Sequence, residues 1–165
     1  CRATRKGASA ASDVDKRQDV YGIEDWDQSH GSKANNKQAG AVGDIGCFSV
    51  YPTKLWGGYG EGGVRTTNNK DRDEKMMRIR LLGMERKKMS SGHWNGKYYA
   101  VEHGTNSRLD EVHAAILSGK LKYLDKWIEK RRKIAKNYER ELKHLSIDIP
   151  KEAKTNIQNY YMYEG

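Results

Sequence analysis

Five glycines fall within seven residues: Gly57, Gly58, Gly60, Gly62 and Gly63. Such density excludes a helix there, because fixing a glycine costs more backbone freedom than fixing any other residue. The flanking runs, Ile45-Gly-Cys-Phe-Ser-Val-Tyr51 and Val64-Arg-Thr-Thr67, have the β-branched and aromatic content of strands. Pro52 ends the first strand or sits at its edge. The segment therefore predicts a tight turn between two strands. It also satisfies G-x-G-x-x-G from Gly58 to Gly63. A dinucleotide fingerprint, however, follows a strand and opens a helix. Here Lys-Leu-Trp precedes the glycines and a β-like run follows, so the context argues against that reading.

The rest of the chain can be placed around this turn. Val20-Tyr-Gly-Ile23, ending in Glu24-Asp25, fits a buried parallel strand with acids at its C-terminal end. Strand C-terminal ends are where open α/β sheets bind ligands. Residues 31–40 are polar and predict a loop. Asn68-Asn69 predicts a turn and a cap for a helix over 70–83. Residues 84–105 predict irregular chain. From Leu109 onward, Val112, Ile116, Leu121, Leu124 and Ile128 recur at spacings of three to five. Trp127, Ile134, Tyr138, Leu142 and Leu145 continue the pattern. This predicts a long amphipathic helix, or two abutting ones broken near Ser118-Gly119. Pro150 lies past its end, and the Tyr-rich tail from 151 stays unassigned. Residues 1–18 read as loop or poorly packed helix. Strands near 20–25, 44–51 and 62–67 with helices after them make an α/β unit.

Composition narrows the function classes. The chain has 165 residues, 36% hydrophobic, with mean hydropathy −0.98. That implies a thin core, or a piece of a larger protein. The net charge of +9 suits nucleic acid, an acidic membrane surface or a phosphate-bearing substrate. The cations are interleaved with acids along the whole chain, whereas nucleic-acid modules gather them on one face or stripe. Cys1 and Cys47 make no disulfide framework. No signal-peptide pattern or stretch of about 20 apolar residues occurs, so a cytoplasmic setting is expected. His30, His93, His103, His113 and His144 are nowhere three or four apart, so no metal site is expected.

Lys54 lies just past the strand that holds Ser49 and before the glycine turn. A lone loop lysine is ordinarily a solvated charge. Its surroundings suggest more, because Glu24-Asp25 ends one strand and Ser49 lies on the next. An amine can condense with an aldehyde. A carboxylate can keep a pyridine nitrogen protonated. Hydroxyl and backbone N–H groups can hold a phosphate.

Three segments together resemble the DegT/StrS family of pyridoxal-phosphate (PLP) sugar aminotransferases. Ile23-Glu-Asp-Trp-Asp-Gln-Ser-His-Gly31 is similar to E-D-x-x-Q-x-H-G. Gly40-Ala-Val-Gly-Asp-Ile-Gly-Cys-Phe-Ser-Val-Tyr-Pro-Thr-Lys54 with Gly60-Glu-Gly-Gly63 is similar to G-D-I-G-x-F-S-x-x-x-x-K and its glycine turn. The segment from Tyr98 to Leu117 is similar to G-x-N-x-R-L-D-E-x-x-A-A. The match runs over about residues 13–150, in order and spacing.

The resemblance implies part of an α/β, three-layer PLP-transferase (fold type I) large domain, with a mostly parallel sheet and a long helix after it. Residues 1–18 would be an irregular segment. Residues 19–118 would belong to the PLP-binding large domain. Residues 119–165 would be a long helix and the start of a small domain. Lys54 would join the cofactor's aldehyde and shuttle the proton. Asp25 would pair with the pyridine nitrogen, Gln28 would contact the ring hydroxyl side, and Ser49 would bind the phosphate. Asn106 would reach the phosphate of a neighbouring subunit in a homodimer with a shared active site. The implied reaction is transamination of a nucleotide-diphosphate keto-sugar with glutamate as donor, for deoxyamino sugars of lipopolysaccharide or antibiotics.

Two departures accompany the likeness. The parts that precede and follow this stretch in the longer family members have no counterpart here. Trp26 and Asp27 stand where small residues are usual beneath the cofactor ring. The alternatives are a non-catalytic fragment or remnant of the same fold, and a basic nucleic-acid-binding module.

Overall fold

The computed structural model describes residues 21–85 and 99–163. Expectations for residues 1–18, Val20 and residues 86–98 lie outside the described residues. The chain divides into two compact units, one comprising the residues up to Asn68 and those from Glu111 onward, the other Asn69–Asp110.

The first unit contains two three-stranded sheets. One sheet has the order β1 (Ile23–Asp25), β4 (Ile45–Ser49), β5 (Gly63–Thr66). β1 and β4 run parallel, with Ile23 opposite Ile45 and Asp25 opposite Cys47. β4 and β5 run antiparallel, with Ser49 opposite Gly63. The glycine segment lies in the connection between them, residues 50–62, whose two ends are joined where the Val50 amide donates to the Gly62 carbonyl (3.0 Å). The parallel register is thus found at β1–β4, and the other described pairings are antiparallel.

The expected burial of the first strand is not found: Ile23 is 70% exposed and Asp25 is exposed too. β1 is an edge strand in this sheet, and alternating side chains on an uncovered edge meet water.

The predicted loop over 31–40 is instead a small hairpin. β2 (Lys33–Ala34) pairs antiparallel with β3 (Lys37–Gln38). Asn35 and Asn36 both take positive φ, 50° and 62°. Two successive left-handed residues match the right-handed twist of the flanking strands, and asparagine tolerates that conformation. β6 (Asn156–Ile157), from the unassigned tail, pairs with the other edge of β2.

The long apolar pattern gives two helices, α2 (Glu111–Leu121) and α3 (Leu124–Leu142). The interruption falls at Lys122-Tyr123, not at Ser118-Gly119. Ser118 is helical, and its hydroxyl donates to the Ala114 carbonyl one turn back (2.8 Å), which keeps it from competing for other backbone groups. Leu117, Ile128 and Ala135 are buried, together with Ala39, Val50 and Leu55 of the strand and loop layer. Val112, expected on the same face, is 75% exposed.

In the second unit α1 covers Lys70–Ile79. Its cap is the expected one, with the Asn69 side chain accepting from the Arg72 amide (2.9 Å). The helix ends short of residue 83. Leu82 and Gly83 both take positive φ, and the Gly83 amide donates back to the Arg78 carbonyl (2.9 Å). A left-handed pair of this sort terminates a helix while satisfying its last carbonyls. Arg78 pairs with Glu102 at 2.6 Å. No helix among the described residues is long and apolar enough to cross a membrane.

Candidate functional site

Parallel pairing sets the site's framework. With Asp25 opposite Cys47, Asp25 and Ser49 lie toward the C-terminal edge of two adjacent strands. Beyond that edge the β4 backbone turns, and the Lys54 amide donates to the Tyr51 carbonyl (2.9 Å). This turn brings the Lys54 side chain back into the protein, where it is only 12% exposed.

Glu24 does not share the ligand edge with Asp25. Its carboxylate accepts the Val42 amide (2.8 Å), the Gly40 amide (3.3 Å), the Gly43 amide and the Trp26 indole N–H. A Cβ at Gly43 would meet the Gly22 carbonyl oxygen at 2.9 Å and Glu24 Cγ at 3.0 Å, so this cradle requires glycine. Glu24 is therefore a structural carboxylate that fastens the 40–43 loop to β1. Asp25 Oδ1 accepts the Asp27 amide (3.3 Å), which shapes the turn after the strand.

The nearest partner of Lys54 is Asp27. Lys54 Nζ lies 2.6 Å from Asp27 Oδ2 and 5.3 Å from the centroid of the Tyr161 ring. Ser49 Oγ accepts the Tyr51 amide (3.3 Å). Gln28 is exposed, and its carbonyl accepts from Asn159 Nδ2 (2.8 Å). Asn106 belongs to the second unit, where it bridges Leu81 and its Oδ1 accepts from Arg108 Nε (3.2 Å).

Several neighbours of Lys54 went unassigned at the level of sequence. Asn159 is buried and donates to the carbonyls of both Gln28 and His30 (2.8 and 3.1 Å), while its Oδ1 accepts the Tyr161 amide (3.0 Å). It thus seats the tail on the loop that carries Asp27. Nothing in the unassigned tail marked it in advance, since the strand that anchors the tail, β6, is only two residues long. His30 is buried between Phe48 (5.5 Å between centroids) and Trp56 (6.0 Å). Neither ring nitrogen has a hydrogen-bond partner among the described residues. Burial holds the His30 pKa below its ordinary value, and nearby Lys54 adds to the effect. The Ser49 carbonyl, outside hydrogen-bonding geometry, and the Asp27 carboxylate pull the other way.

A cleft of about 380 Å³ opens beside Lys54, lined by Leu55, Lys120, Trp127, Lys130 and Arg131 as well. Lys120 donates to the Gly57 carbonyl and lies over the rings of Tyr59 (5.5 Å) and Trp127 (5.9 Å). His113 Nε2 accepts the Tyr59 amide (3.2 Å), and a Cβ on Gly58 would strike that nitrogen at 1.7 Å. The glycine turn therefore packs against α2. With four cations and an indole on its walls, the cleft suits an anion that carries a flat ring or an apolar face. A larger cavity of about 520 Å³, lined by Arg132, Lys136, Glu152 and Tyr160 among others, shares no residue with it. Its Arg132 is paired with Glu152 at 2.6 Å, as Lys54 is with Asp27. Among the described residues no group of three His, Cys, Asp or Glu side chains comes together to hold a metal ion.

A family model described as the DegT/DnrJ/EryC1/StrS aminotransferase family matches residues 8–164. The chain is 39% identical over 157 residues to a pleiotropic regulatory protein of Geobacillus stearothermophilus, a match covering 93% of this chain and 40% of that protein. It is 34% identical over 160 residues to dTDP-3-amino-3,4,6-trideoxy-alpha-D-glucose transaminase of Micromonospora megalomicea subsp. nigra, covering 94% of this chain and 40% of the relative. Among solved structures, an aminotransferase from Brucella abortus superposes with a TM-score of 0.82 at 32% identity, covering 93% of this chain and 38% of that one. DesV of S. venezuelae superposes with a TM-score of 0.83 at 31% identity, covering 94% and 40%. The chain thus spans about two fifths of the length of these relatives.

Proposed function

The chain belongs to the DegT/DnrJ/EryC1/StrS aminotransferase family, and on that premise we propose that it carries the lysine of a PLP site that transfers an amino group to a nucleotide-linked keto-sugar. The observation that carries this reading is Lys54, a largely buried amine just past β4, with Asp25 at the end of the adjacent parallel strand. A lysine sheltered from bulk water is suited to joining a carbonyl group, and an exposed carboxylate one strand away can meet a protonated ring nitrogen. The residues therefore fit the cofactor. When bound, PLP supplies an electron sink and carries the amino group between donor and acceptor.

The chain's own residues would do the rest. Lys54 holds and moves the proton at the reacting carbon, a task worth about 10²–10⁴-fold when the amine is well placed. Asp25 keeps the ring nitrogen protonated, Gln28 contacts the ring hydroxyl side, and Ser49 donates to the phosphate. Asn106 serves the site of a neighbouring subunit in a homodimer. Glutamate is the amino donor, and the reaction runs in the cytoplasm. The cationic cleft beside Lys54 supports a diphosphate-bearing substrate, since Lys120, Lys130 and Arg131 would meet its negative charge. Residues 19–118 belong to the cofactor-binding large domain, and 119–165 begin the small one.

The test is PLP added to the folded protein, followed by borohydride reduction and peptide mass mapping. A visible absorption band that disappears in Lys54→Ala, with the reduced adduct on Lys54, is the expected result. A band that survives in Lys54→Ala, or no band at all, overturns the reading.

A further inference from the structure

The partner that the structure gives Lys54 is Asp27, two residues beyond the carboxylate expected at the cofactor ring. The ion pair is short, 2.6 Å from Lys54 Nζ to Asp27 Oδ2, and the lysine end is 12% exposed. A charge-assisted hydrogen bond of this length fixes both position and proton. Water cannot easily replace the carboxylate at so sheltered an amine, so loss of the partner would leave a buried charge uncompensated. The Tyr161 ring, with its centroid 5.3 Å from the same nitrogen, covers another side. Asp27 is itself held: its amide donates to Asp25 Oδ1, and Asn159 ties the following carbonyls of Gln28 and His30 to the tail.

We propose that Asp27 is a positioning residue that clamps Lys54 and limits when its nitrogen can act as a nucleophile. A nitrogen that holds a proton for a carboxylate has no lone pair to offer. The lone pair becomes available when the proton passes from Nζ to Asp27 Oδ2, leaving a neutral amine and a neutral carboxyl group. Until then the proton stays on Nζ, where the Asp27 carboxylate helps to hold it. On the reading of Lys54 given above, to which this inference adds, Asp27 also slows the joining of lysine and cofactor.

Acetic anhydride labelling of the whole chain, read by peptide mass spectrometry, measures the free amine directly. Asp27→Asn keeps the size of the side chain and removes its charge. Because Asp27 is 43% exposed, solvent screening tempers the effect, and Lys54 acetylation in Asp27→Asn should rise by about tenfold over the natural chain. Exposed Lys37 and Lys126 serve as internal references. Asp27→Glu, which restores the charge, should return the rate most of the way. Equal Lys54 rates in the natural chain and Asp27→Asn overturn the clamp, as does a Glu variant that labels as fast as Asn, because access alone would then govern the amine. A global melting curve on each variant separates these outcomes from unfolding. The labelling needs no PLP, so a Lys54 that never joins the cofactor would still report on Asp27.

Discussion

Two irregular parts of the first unit meet the same need with opposite charges. Beside β1 a single carboxylate gathers donors: Glu24 accepts from the Gly40, Val42 and Gly43 amides and from the Trp26 indole. Along α3 two adjacent guanidiniums gather acceptors. Arg131 donates to the carbonyls of Tyr160 (3.1 Å) and Tyr161 (3.3 Å), and Arg132 to that of Gln158 (2.8 Å). Backbone without a strand or helix partner must find one elsewhere when it leaves water. A short carboxylate can serve only a loop that folds tightly around it, hence the glycine at 43. A long guanidinium reaches out from a helix and needs no special backbone. The first arrangement is rigid and unforgiving, and the second is adaptable.

Glu24→Ala strikes the unforgiving side and should have the largest effect. It leaves three amides and an indole N–H without their acceptor, at a site where the chain cannot rearrange without disturbing Gly43. Hydrogen bonds to a charged group contribute about 1.5–3 kcal/mol each in favourable cases, and partial exposure reduces the sum, so a loss of about 2–4 kcal/mol is expected. Urea unfolding should show a lower midpoint with an unchanged slope. A loss no greater than that of an ordinary surface substitution would mean the 40–43 loop is held by something other than Glu24.

The same contrast explains what could be read in advance. The three strands of the first sheet, the turn between the last two, and the Asn69 cap are written in local composition, so their existence and order were legible. The Asn35-Asn36 hairpin was legible in principle, because two left-handed asparagines are a hairpin signal, but its strands are only two residues long. Lys54, Asp25 and Ser49 were singled out by their places near two strand ends and by the family resemblance, and the parallel pairing of β1 and β4 does bring those two strand ends side by side. Asp27 as the partner of Lys54 could not be foreseen, since it depends on where a loop side chain points. Nor could Asn159, which acts across 131 positions on the Gln28 carbonyl. Helical spacing marked α2 and α3 correctly and misjudged Val112, because periodicity names a face without saying how much of that face is covered.

Arg132→Met tests the adaptable side and should cost less, about 1–2 kcal/mol, for a pair whose side chains are 27% and 23% exposed. Its pH dependence is the sharper measurement. The Arg132 hydrogen bond holds the Glu152 pKa below its ordinary value, with the Gln158 amide and the charge of Lys136 pulling the same way. A carboxylate depressed in the folded state stabilises it above the unfolded value of about 4.5, and that contribution disappears as pH falls through the folded value. Natural chain and Arg132→Met should therefore differ most at neutral pH and converge below about pH 4.5. A difference that stays constant into acid would assign the role of Arg132 to the Gln158 carbonyl alone.

His30 gives the smallest effect and the finest test, because it belongs to neither charge scheme. Buried between Phe48 and Trp56, its ring resists protonation in the folded chain. The unfolded chain takes up that proton as pH falls through 6.5. More protons on the unfolded state mean that folding stability declines with falling pH, starting at 6.5 and continuing until the folded ring also titrates. Between pH 6.5 and 5.5 this loss is at most about 1 kcal/mol, and the opposing pull of Ser49 and Asp27 makes it smaller. His30→Phe fills the same aromatic slot without a proton to gain, so its stability should be flat relative to the natural chain over that interval. Because each curve carries every other histidine, the difference between the two isolates His30. Parallel curves would mean that the ring takes up its proton alike in the folded and the unfolded chain, so that burial between Phe48 and Trp56 does not disfavour its charge.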